Sequence, residues 1–76
     1  MKAYEVEVHF IGAPDYYYFT DKTEAEKAAK ELNELPAERA YFGIVETRAY
    51  ITEFDLADNQ YIEGNEIITS NRRYTA

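Results

Sequence analysis

Residues 21–35, DKTEAEKAAKELNEL, set the strongest constraint on the fold of this chain. Ala25, Ala28, Ala29, Leu32 and Leu35 recur at i, i+3, i+4, i+7 and i+10, one narrow stripe of an amphipathic helix. A stripe that narrow needs an apolar surface to lie on, and only the flanking segments can supply it. Asp21 with Glu24 and Thr23 with Glu26 both have the spacing in which a cap side chain and a carboxylate satisfy free backbone N–H groups, so either register starts the helix. Glu26 with Lys30 adds a helix-surface pair worth about 0.2 to 0.5 kcal/mol. Pro36 ends the helix by lacking an N–H and restraining Leu35. The alanines let the helix axis approach its support closely, and a bulky residue at Ala28 or Ala29 is expected to overpack the contact by about 1 to 3 kcal/mol.

The rest of the chain reads as strand and turn. Lys2 to Ile11 alternates, with Tyr4, Val6, Val8 and Phe10 on one side and Glu5, Glu7 and His9 on the other. Gly12, Ala13, Pro14 and Asp15 supply a turn into the aromatic run Tyr16 to Phe19, which makes a hairpin the economical reading. Phe19 has no polar handle, so Tyr17 and Phe19 are expected to face inward. After a loop at Ala37 to Ala40, Tyr41 to Phe54 reads as one long strand in which Val45, Thr47, Ala49 and Ile51 form the better helix-facing set. A turn at Asp55 to Asn59 precedes two short strands, Gln60 to Glu63 and Glu66 to Thr69, around Gly64 and Asn65. Ser70 to Ala76 is expected to be a frayed tail. The expected fold is therefore α+β: a two-layer domain with a mostly antiparallel sheet of about four strands and one helix packed on one face, in the order ββαββ.

At 76 residues the chain is expected to be one domain, 1–76, without an internal repeat or a dividing linker. Folding at this size hides only about 60% of the surface of the unfolded chain, so the core margin is thin. With no Cys and a single His, neither a disulfide nor a zinc cluster is available to staple it. The N-terminus alternates apolar and charged residues rather than forming the continuous apolar run of a signal peptide or a membrane span, so the expected location is the cytoplasm. A net charge of −7 disfavours nucleic acid or an anionic membrane as a direct partner and permits a basic one.

Catalytic patterns are sparse. His9 shares a strand face with Glu7 and Glu5, a group able in principle to act as acid or base, but a solvent-facing His on a strand is more often only polar, and no nucleophile motif accompanies it. Asp55, Asp58 and Glu63 do not match the spacing of a calcium loop, and Gly12, Gly43 and Gly64 stand too far apart to cradle a phosphate. The expectation is a protein without enzymatic activity, cofactor or metal. The eight tyrosines are the unusual feature. Tyr16, Tyr17 and Tyr18 are consecutive and cannot all face the core, and Tyr is favoured at interfaces because it buries a large rigid area while keeping a hydroxyl. Together with the carboxylates this defines an acidic surface with aromatic anchors, and the candidate partner-binding residues are Glu5, Glu7, Tyr16, Tyr17, Tyr18, Glu46, Tyr50, Glu53, Tyr61 and Glu63.

Such a surface suits a basic, nucleic-acid-binding groove on another protein, with carboxylates standing where phosphates would lie. In size, acidity and lack of Cys the chain resembles the small acidic proteins of phages and mobile elements, anti-CRISPR proteins among them, a likeness of type over the whole chain without a shared motif. The resemblance implies a stoichiometric inhibitor of a basic nucleoprotein complex in a bacterial host. The alternative is a self-associating structural or regulatory module, a homodimer in which an edge strand such as Gln60 to Thr69 or Tyr16 to Phe19 pairs with its symmetry mate.

Overall fold

The computed structural model describes residues 1–70. Strand β1 (Lys2–His9) has apolar residues at every second position and small or half-buried residues between them, which suits a middle strand. It takes that place: β2 (Asp15–Phe19) and β5 (Arg48–Asp55) flank it, both antiparallel, in the order β2-β1-β5. Gly12, at φ +79°, turns the chain between β1 and β2 in a region that favours glycine. Tyr4, Val6 and Val8 point from β1 to one face, and Phe19 and Tyr17 opposite Tyr4 and Val6 extend that face onto β2, as their spacing implied. Phe10 lies beyond the strand and is exposed.

Helix α1 (Lys22–Asn33) crosses this face. The Asp21 carboxylate caps it, accepting from the N–H of Thr23 at 2.8 Å and of Glu24 at 3.4 Å, so the first of the two cap registers is the one used. Ala25 and Ala29 are buried against Tyr4, Val6, Val8 and Ala49, with Phe19 and Leu32 packed around them. Leu35 departs from the expected stripe: the helix ends before Pro36, and Leu35 lies outside it and is exposed. Asn33, in the last turn, reaches β5, where its side-chain amide donates to the Ala49 carbonyl at 3.0 Å and accepts from the Ala49 N–H at 2.7 Å.

The expected four-strand sheet in ββαββ order is corrected by the structure, which has seven strands in three sheets among the described residues. The run Tyr41 to Phe54 is not one strand. Residues 38–45 fold on themselves as a hairpin, β3 (Glu38–Ala40) and β4 (Gly43–Val45), with Tyr41 and Phe42 at its tip, and part of the expected loop at Ala37 to Ala40 is thereby a strand. Only Arg48 to Asp55 continues into the main sheet, where Ala49 and Ile51 do face the helix side, opposite Val8 and Val6. The β3-β4 hairpin packs against no other element to any extent and so stands out as an arm, and the described residues measure 60 × 25 × 16 Å.

The last two strands lie where their spacing placed them, as β6 (Gln60–Glu63) and β7 (Glu66–Thr69), but they form a closed hairpin of their own with Tyr61 opposite Ile68 and Ile62 opposite Ile67. Gly64, at φ +61° and first of the two turn residues, provides the conformation that a tight hairpin turn demands. β7 packs beside β2. Ser70, expected to start a frayed tail, is held: its N–H donates to the Asn59 carbonyl at 2.7 Å. Residues 71–76, which carry the rest of that expected tail with Arg72, Arg73 and Tyr74, lie outside the described residues. No helix among the described residues is long and apolar enough to cross a membrane.

Candidate interaction surface

Strand alternation sends the odd-numbered residues of β1 away from α1, and cross-strand pairing brings their neighbours to the same side. The result is two rows running across the three strands. Tyr16, Glu7 and Tyr50 form one, and Tyr18, Glu5 and Thr52 form the next. His9 opposite Arg48 and Ala3 opposite Phe54 complete the face at its two ends. The Ala3 end is closed: Ala3 is fully buried, the Tyr18 ring meets Phe54 edge-on at 6.1 Å, and Leu56 is buried just beyond. From Glu5 to His9 the face is open, with the two glutamates half-buried and Tyr16 and Tyr50 exposed.

The chemistry of this face centres on the two carboxylates. The hydroxyl pKa of Tyr16 is raised from its ordinary value of 10.0, first by desolvation and then by the negative charge of Glu7. Tyr18 is raised from the same value for the same first reason, with Glu5 as the charged neighbour. Both tyrosines therefore stay neutral hydrogen-bond donors well into the alkaline range. Glu7 also pairs with His9 Nε2, and the His9 ring meets Tyr50 edge-on at 5.8 Å. Arg48, at the rim, is held by Glu46 at 2.9 Å, so the carboxylates in the middle of the face are Glu5 and, beside His9, Glu7.

The ten residues expected from the sequence to bind a partner are thus divided. Glu5, Glu7, Tyr16, Tyr18 and Tyr50 share the open face, and Glu46 borders it through Arg48. Tyr17 and Glu53 face the opposite side with α1, because they stand opposite Val6 and Tyr4. Tyr61 and Glu63 belong to the separate β6-β7 hairpin. Arg48, Thr52 and Phe54 also lie on this face but were not among the ten; the even numbering that Arg48 and Thr52 share with Tyr50 already set them on the side away from the helix. Asn33 was also missed, since nothing in a helical stripe distinguishes an amide that will bond a strand backbone.

Two other surfaces carry apolar area. A groove of about 370 Å³ opens between α1 and the β2 side of the sheet, lined by Val6, Val8, Tyr17, Phe19, Leu32 and Leu35. At the arm tip, Tyr41 is fully exposed and its ring meets Phe42 edge-on at 5.0 Å. Among the described residues, no three His, Cys, Asp or Glu side chains stand close enough together to hold a metal ion. No protein-family model, curated protein or solved structure matches this chain.

Proposed function

We propose that this protein is a non-enzymatic binding protein whose open sheet face docks on a Lys/Arg-rich surface of a nucleic-acid-handling protein in a bacterial host and blocks that surface. The observation that carries the reading is the pair of cross-strand rows, Tyr16–Glu7–Tyr50 and Tyr18–Glu5–Thr52, on the face that α1 leaves uncovered. A strand scaffold holds Glu5 and Glu7 in place, and their half-burial means that part of the cost of removing them from water is met on folding. Tyrosines on either side add rigid contact area with little rotamer entropy to lose. A guanidinium-rich groove would meet carboxylates and hydroxyl donors on one nearly flat surface, with charge of the correct sign for rapid encounter.

A tagged pull-down from bacterial lysate tests the reading, repeated after nuclease treatment and across a salt series. Recovery of a nucleic-acid-binding protein that survives nuclease and weakens with salt is the expected result. Recovery that depends on nucleic acid, or that is indifferent to salt, would contradict it.

A further inference from the structure

Strand β5 is an open edge of the main sheet, and the structure shows which of its backbone groups are free. In an antiparallel strand each residue sends its N–H and C=O to one side, and successive residues alternate. The Leu56 N–H donates to the Met1 carbonyl at 2.8 Å, so the even-numbered residues of β5 are those that bond β1. Asn33 bonds both backbone groups of Ala49, which independently shows that the odd-numbered residues face away from β1. Asn33 therefore occupies the edge at Ala49, and Ile51 and Glu53 present their N–H and C=O groups outward, with no strand beside them among the described residues.

The other edges are shorter: β2 has five residues and β6 and β7 four each, so neither edge considered from the sequence offers a run as long as the eight residues of β5. β5 is eight residues long, rich in Tyr, Ile, Thr and Phe, and contains no Pro or Lys, the residues that commonly protect an edge.

We propose that a second copy of this chain pairs antiparallel with β5 about a two-fold axis at Thr52, joining two three-stranded sheets into one of six. The open groups select this register. An axis at Ile51 would set Glu53, in mid-strand, opposite Ala49, which Asn33 already holds, whereas an axis at Thr52 sets only Asp55, the last residue of the strand, at that blocked position. An axis at Glu53 would set Glu53 directly opposite the partner's Glu53, a like-charge pair. With the axis at Thr52, Ile51 exchanges both backbone bonds with the partner's Glu53, and Glu53 does the same with the partner's Ile51. On the open face Tyr50 then lies opposite the partner's Phe54, an aromatic cross-strand pair, and Thr52 lies opposite the partner's Thr52. A depression of about 370 Å³ lined by Asn33, Leu35, Thr47, Arg48 and Tyr50 leaves room beside Tyr50 for the end of the partner strand. Both helices fall on the same side of the joined sheet, and the Glu5 and Glu7 rows of the two copies become one continuous surface. The pairing stands independently of what that surface binds.

Analytical ultracentrifugation from micromolar to about 1 mM protein tests the association. The wild-type chain is expected to dimerise and Glu53→Pro to remain monomeric, since proline there removes an outward donor without removing a bond to β1. Thr52→Cys tests the register without relying on that variant's folding. Opposed positions at such an axis have Cα atoms about 4.5 Å apart, within the range of a disulfide, and the chain has no other cysteine. Under mild oxidation Thr52→Cys is expected to cross-link to completion, while Tyr16→Cys on the opposite edge strand does not. A wild-type chain that is monomeric throughout, a dimer that survives in folded Glu53→Pro, or cross-linking of Thr52→Cys no faster than Tyr16→Cys would each overturn the proposal.

Discussion

At the scale of single residues, the fold depends on a few small side chains rather than on a large core. Val6 is the largest fully buried side chain, with Ala25, Ala29 and Ala49 packed around it. Val6→Ala is expected to lower stability by about 2 kcal/mol, read as a shift in the urea midpoint at unchanged slope. The parity that buries Val6 was legible in the sequence, because strict alternation in β1 leaves one choice of inner face. The same alternation placed Glu5 and Glu7 on the outer side but could not say that Tyr16 and Tyr18 would stand beside them, which depends on the pairing register of β2. Their raised pKa values make a second expectation. A tyrosine whose folded pKa exceeds its unfolded value, about 10, contributes stability that is fully present below that value. The contribution is lost as pH rises through the folded pKa, so stability should fall in the alkaline range. A spectrophotometric tyrosinate titration is expected to lose its latest portion in a Tyr16→Phe, Tyr18→Phe double variant; a profile reduced in amplitude but unchanged in shape would show that neither desolvation nor the carboxylates hold these hydroxyls back.

At the scale of elements, the contrast is between segments that carry their own punctuation and one that does not. Asp21 and Pro36 bound α1, and Gly64 with Asn65 sets the β6-β7 turn, so both were legible to within a few residues. The run from Ala37 to Phe54 lacks such marks: its apolar residues occur at both parities, and only Gly43 interrupts it. Tyr41 and Phe42 have high strand propensity, yet they occupy a turn, because neither sheet face offers them a partner. The arm therefore contributes little to the body, and replacing both Tyr41 and Phe42 by Ser should change thermal unfolding by no more than about 0.5 kcal/mol. Asn33 is the opposite case, a polar residue on which packing depends. Asn33→Ala strips both bonds from the Ala49 backbone, itself buried, and should cost about 1 to 2 kcal/mol in a denaturation measurement.

At the scale of the whole molecule, a single helix covers one side of a three-stranded sheet and leaves the other side to solvent from Glu5 to His9. The count of strands in that sheet was not legible, since two of the hairpins bury little and close on their own hydrogen bonds, a choice that depends on tertiary competition rather than local propensity. The acidic net charge of −7 is spread over the chain, whereas the tyrosines and glutamates that meet in one place are those the sheet aligns. The proposed binding face rests on this concentration, which acidity serving only solubility would not require. The most direct measurement compares two variants of equal charge change that retain the native circular dichroism spectrum: Glu5→Lys with Glu7→Lys on the open face, and Glu26→Lys with Glu31→Lys on the exposed side of α1. Recovery of the basic partner is expected to fall about 100-fold for the first pair, as two like-charge contacts replace attraction, and to change less than about threefold for the second. Equal losses from both pairs would mean that net charge alone governs the interaction, and that the open face of the sheet is not the site.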